Sequence, residues 1–142
     1  MTDLTQNLDT RLNPYAPTAL SVFRVIFGLL FLCHASAHLF GWPSGPAAAP
    51  GQWPYFYAGV VELIAGVLLT AGLFTRIAAF FAAGTMAFAF FTQHLPTGVV
   101  PMTNGGELAV LYCFAFLLLA FTGGGAIALD ARSHRTSQVA QR

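Results

Sequence analysis

The chain has 142 residues, of which 56% are hydrophobic and 8% charged, and its formal net charge is +1. Soluble domains carry about 25% charged residues, so this composition predicts an all-α integral membrane protein whose first partner is the lipid bilayer. Nucleic acid is excluded as a partner, because the charge is nearly balanced and no basic patch with interleaved aromatics occurs.

Residues 1–17 form a polar N-terminal segment that opens MTDLTQNLDTRLNP. It lacks the charged-then-apolar order of a secretory signal, so the first apolar run is expected to stay in the mature protein. Leu4, Leu8 and Leu12 fall on one helical stripe that suits the inner membrane surface, with a flexible polar tail as the alternative. A membrane span takes about 20 mostly apolar residues. Apolar runs over 18–40, 55–73, 77–94 and 107–122 predict a four-transmembrane-helix bundle occupying residues 18–125. Residues 126–142 then form a cytoplasmic tail.

The arginines orient this bundle. Arg11 precedes the first run, Arg76 lies between the second and third, and Arg132, Arg135 and Arg142 follow the fourth. The long connections, 41–54 and 92–106, contain no lysine or arginine. By the positive-inside rule both termini are cytoplasmic and both long loops lie outside a plasma membrane. Trp42, Trp53, Tyr55 and Tyr57 stand where an outer aromatic belt is expected.

Ionisable groups inside a bilayer are expensive and usually face the bundle interior. Arg24, Gly28, Phe31, His34 and His38 trace one stripe of the first run, with Arg24 toward the inner face and the histidines toward the outer. Glu62 enters with the second run at about 10 Å below its outer end, near the depth of His34. His94 ends the third run and Glu107 opens the fourth. Four helices thus send His34, His38, Glu62, His94 and Glu107 toward one leaflet. A weak internal echo groups them further, since each helical hairpin ends His-Leu and returns with a glutamate.

Each of these residues also has a purely structural reading. Arg24 can snorkel to the inner headgroups, His94 can be an interfacial loop residue, and Glu107 can stabilise the first turn of its helix. His34 and His38 can be satisfied by backbone carbonyls. Glu62 is harder to account for, because a carboxylate at that depth needs a partner or a proton. Cys33 and Cys113 form no metal-type pair and read as small packing residues, with a disulfide as the alternative. The AAFFAAG stretch, 78–84, supplies small residues for close helix packing.

Several segments resemble the DoxX-like family of membrane proteins. RVIFGLLFLCHASAHLFGW resembles its first helix, GVVELIAGVLLTAGLFTRIAA its second helix and Thr-Arg turn, and NGGELAVLYCFAFLLLAFTGGGAIALD its fourth helix and exit. The resemblance implies a four-helix bundle associated with membrane redox systems: quinone-linked thiosulfate oxidation, quinol oxidase complexes, or assemblies with thiol or oxidative-stress enzymes. The family's arginine maps to Arg24 and its glutamates to Glu62 and Glu107. At its basic first-helix position, often lysine, this chain has His38, and its exit serine is Ala128. A histidine there exchanges a proton near neutral pH, or ligates a metal, as lysine does not.

The first functional expectation is therefore a membrane oxidoreductase subunit linked to quinone. His34 or His38 would donate a hydrogen bond or proton to a quinone oxygen, with Glu62 as acceptor or relay. Glu107, His94 and Arg24 are further candidate cofactor contacts, Arg24 standing apart from the rest. Electrons would come from a redox partner protein, and a homo-oligomer is a further expected assembly. The second expectation is a non-catalytic scaffold recruiting a redox enzyme. The third is a metal or haem site using His34, His38 and Glu62, although H-x-x-x-H alone is a low-specificity pattern.

Overall fold

Glycine and proline mark the helix ends in the computed structural model, which describes residues 2–131. Helix α1 (Thr2–Leu12) passes through a 3₁₀ turn, Asn13–Tyr15, into α2 (Ala16–Phe40). Pro17 sits in the first turn of α2, where its missing N–H has no intrahelical partner to lose. Gly41 ends α2 in the left-handed region, φ 71°, with its N–H donating to the Ala37 carbonyl. Helix α3 (Tyr55–Ala71) closes the same way at Gly72, φ 73°, a conformation that costs a glycine nothing. Helix α4 (Thr75–Ala89) follows at once, and after the second long connection and the one-turn α5 (Pro101–Asn104) comes α6 (Glu107–Thr122).

The described residues contain helices and no strand. Two helical runs, 4–40 and 75–97, are long and apolar enough to cross a membrane, and α3 and α6 are shorter apolar helices. The third apolar run, expected as one helix to residue 94, changes character inside that range. Its α-helix stops at Ala89 and continues as a π-helical turn, Phe90–His94, then a 3₁₀ turn, Leu95–Thr97. Pro96 has no N–H to offer the Thr92 carbonyl, so regular α-helical pairing cannot run through it. The N-terminal segment is helical rather than an irregular tail, and Leu4, Leu8 and Leu12 are all exposed on it.

Helix α2 packs along α3, α4 along α6, and α3 meets α4 to join the pairs. Phe31, Leu69, Phe116 and Leu119 are fully buried at the centre, against Ala78, Ala79, Ala82 and Ala83 of α4. The large apolar side chains Ile26, Leu29, Ile64, Val67, Phe80, Phe114 and Phe121 are exposed, while Ser21, Arg24, Glu62 and Thr75 are buried. An apolar exterior around a partly polar interior is the arrangement a bilayer selects.

Polar side chains tie together the end of the bundle remote from loop 41–54. Arg24 donates from Nε to the Gly124 carbonyl at 2.9 Å and from Nη1 to the carbonyls of Leu69 and Thr70, the latter at 2.8 Å. Arg76 donates to the Ala120 and Phe121 carbonyls at 3.1 and 2.7 Å, satisfying the last turn of α6. Asp130 accepts the Phe74 and Thr75 N–H groups at 2.9 Å each and so caps α4 from a distant part of the chain. Residues 126–131 are thereby drawn onto the bundle, with Ala128 buried, instead of starting a free tail. Arg132, Arg135 and Arg142 lie outside the described residues.

Candidate functional site

Helix α3 comes close to α2 because glycines line the crossing. A Cβ at Gly59 would lie 2.9 Å from the Cβ of His38, and one at Gly66 would lie 2.8 Å from Leu32. Glu62 stands between these glycines, one turn beyond Gly59 on the same face of α3. Backbone proximity therefore carries its carboxylate to His38, where Nδ1–H donates to Oε2 at 2.8 Å. Glu62 is 1% exposed and His38 30%, so the carboxylate is inside and its partner reaches outward.

The pair borders a cavity of about 660 Å³. Its wall is mainly apolar and aromatic, with His34, His38, Glu62, Gln93, His94 and Tyr112 among the residues that line it. The His34 ring meets Tyr112 edge-on, with centroids 5.4 Å apart, and His38 lies 5.8 Å from the Tyr55 ring. Tyr55 donates to Gln93 at 3.2 Å, linking α3 to the π-helical turn. A second cavity, of about 530 Å³, lies under loop 41–54, lined by residues 44–48 and Gln52 of that loop. It shares His34, His38 and Tyr55 with the first cavity, so the two cavities adjoin at these residues.

Two expected cofactor contacts fall outside this arrangement. Arg24 is buried among backbone carbonyls about 21 Å along α2 from His38, and it lines neither cavity. Its guanidinium is taken up by the carbonyls at the end of α3 and by that of Gly124 instead of reaching the inner headgroups. Glu107 is exposed at the first turn of α6 and also lines neither cavity. Its position suits the positive end of the helix dipole. His94 borders the first cavity, but its Nδ1–H donates to the Asn104 carbonyl at 3.2 Å. The echo between the hairpins is thus one of sequence alone: His38 bonds its glutamate, whereas His94 bonds backbone.

His38 and Glu62 are hydrogen-bonded and His34 is not bonded to either. Among the described residues no group of three or more His, Cys, Asp or Glu side chains is placed to hold a metal ion. Cys33 and Cys113 are free thiols. Tyr55 reads from the sequence only as an aromatic of the outer belt, and Tyr112 and Gln93 have no role there. Tyr112 carried the clearest signal, a hydroxyl in the otherwise apolar LAVLYCF run, where such a group needs a polar neighbour or a cavity.

Residues 19–95 match the family model named DoxX. An uncharacterized protein of Haemophilus influenzae is 39% identical over 125 residues, covering 84% of this chain and 93% of that protein. A Bacillus subtilis protein named "Putative oxidoreductase CatD" is 32% identical over 114 residues, covering 77% of this chain and 82% of its own length. No solved structure matches the chain.

Proposed function

The chain belongs to the DoxX family of membrane proteins, and from that premise we propose that it is the membrane subunit of a redox system whose apolar cavity receives a quinone head group against the His38–Glu62 pair. The pair carries this reading: a carboxylate 1% exposed, 2.8 Å from an imidazole nitrogen, in the wall of a mainly apolar cavity of about 660 Å³. Such a volume lies in the usual range for small-molecule sites, roughly 300–1,000 Å³. The redox setting is supported by the name of the Bacillus relative, "Putative oxidoreductase CatD".

Reduction of a quinone to its quinol consumes two electrons and two protons, the electrons here supplied by a redox partner protein. His38 and Glu62 handle the proton side. With Nδ1–H engaged by Glu62, Nε2 of His38 faces the ring oxygen and donates to it once the imidazole is protonated. Glu62 orients the imidazole and stabilises it when it carries the extra proton. His34 and Tyr112, in ring contact with each other, line the same cavity as further donors. Water in the loop-side cavity supplies or removes protons through the shared histidine wall. In the bilayer the four helices span with both termini cytoplasmic, and both cavities lie toward the outer leaflet.

Native mass spectrometry of protein gently purified from its own membranes tests the reading. Wild type is expected to retain a quinone, and His38→Ala and Glu62→Gln to lose at least tenfold of it at equal recovery of folded protein. Retention equal to wild type in both variants rejects the site. An enzyme that co-purifies without any quinone favours the scaffold reading instead.

A further inference from the structure

Among the described residues four glycines lie within helices: Gly28, Gly59, Gly66 and Gly84. Three of them are where another helix presses in. A Cβ at Gly28 would come within 2.6 Å of the Thr70 hydroxyl, and Gly59 and Gly66 are equally tight against α2. Gly84 is different. A Cβ there would meet nothing within 4 Å, and its backbone is not in the left-handed region. Neither packing nor conformation calls for glycine, which costs a helix about 1 kcal/mol relative to alanine.

Gly84 borders the first cavity between Phe80 and Phe88, which lie one turn to either side on the same stripe of α4. Both rings are exposed, at 65% and 44%, so the glycine leaves a notch between two projecting side chains. Tyr57, Ala58 and Val61 of α3 line the same cavity. Thr85 is the polar neighbour, but its hydroxyl donates to the Phe81 carbonyl at 3.0 Å and is taken up by its own helix. The notch therefore presents apolar surface about 12 Å long from Phe80 to Phe88, continuous with the cavity that reaches Glu62.

Resting on the quinone reading above, we propose that the Phe80–Gly84–Phe88 face of α4 is the track for the ligand's apolar tail, entered sideways from the lipid between α3 and α4. The head group then lies against His38 and Glu62 while an isoprenoid chain runs over Gly84 toward the acyl chains. A tail gains no hydrophobic driving force by leaving lipid for protein, because both are apolar. Shape is what the track supplies, and a single side chain at residue 84 removes it.

The test uses the full chain in lipid nanodiscs and a benzoquinone whose isoprenoid tail carries a diazirine. A benzoquinone with a methyl group in place of the tail reports on the head-group site alone. Photolabel is expected on residues 80–88, displaced by excess unlabelled tailed quinone. Gly84→Trp, and Gly84→Leu as a second variant in case tryptophan disturbs folding, should reduce that label at least tenfold. Binding of the tail-less compound should stay within about threefold of wild type in both.

Label elsewhere, or label undiminished in both variants, overturns the track while head-group binding sensitive to Glu62→Gln leaves the proposed function standing. Equal loss of tailed and tail-less binding in the variants also overturns it, since residue 84 would then belong to the head-group site. A wild-type dimer that Gly84→Trp converts to monomer overturns it in favour of a self-association face. If wild type binds neither compound, the quinone reading fails and the track with it.

Discussion

His38 and Glu62 depend on each other unequally, because the carboxylate is enclosed and the imidazole is partly exposed. Removing the imidazole strands a buried acceptor, whereas removing both polar groups leaves nothing unsatisfied. His38→Leu is therefore expected to lower stability by about 1–3 kcal/mol, and a His38→Leu/Glu62→Leu double variant to recover most of that loss. Unfolding of single and double variants in mild detergent measures the coupling. Additivity within about 0.5 kcal/mol would mean that the pair contributes nothing as a pair. Arg24 shows the opposite use of a buried polar group. Its acceptors are backbone carbonyls in two separate segments, so it fastens the end of α3 to the chain beyond α6. Residue type alone marks both sites as unusual, since charged groups in apolar runs are expensive. Which of them faces a cavity and which closes a helix end depends on neighbours that come from distant parts of the chain.

At the scale of elements, the α2–α3 crossing sets the site. The glycines at 59 and 66 bring two backbones together, and Glu62 is carried between them. Gly59→Val would place side-chain atoms where His38 and Leu39 already lie, separating α3 from α2 next to the pair. We expect a stability loss of about 1–3 kcal/mol, the usual range for overpacking, together with loss of bound quinone in the mass-spectrometric assay. A Gly59→Val protein that keeps both stability and quinone would show that close approach is not what positions Glu62. The helices themselves are largely readable from apolar run length, and the fourth run over 107–122 corresponds to α6 (Glu107–Thr122). The π-helical turn at Phe90–His94 is not, because widening a helix by one residue changes no composition.

For the whole molecule, the arginine distribution makes a directional prediction. The proposed orientation, both termini cytoplasmic, predicts that a cysteine replacing Gln52 in the loop over the second cavity reacts with a membrane-impermeant maleimide added to intact cells. A cysteine replacing Thr10 should react only after the cells are opened. Both belong in a Cys33→Ala/Cys113→Ala background, since the native thiols are free. The reverse labelling pattern would invert the bundle and turn both cavities toward the cytoplasm.

Composition and run length by themselves determine that this chain is helical and membrane-embedded, because transfer into lipid is a sum over residues and needs no knowledge of neighbours. The same reasoning picks out the buried-charge candidates, since the cost of an ion in hydrocarbon is also local. Only the tertiary structure decides that Glu62 pairs with His38 and not with His34. It alone places Arg24 and Glu107 away from the lining of both cavities, and it alone opens a cavity bordered by Tyr112 and Gly84. Those outcomes depend on helix crossing distance and rotation, set by packing between segments far apart in the chain, and a one-dimensional pattern carries no record of which helix faces which.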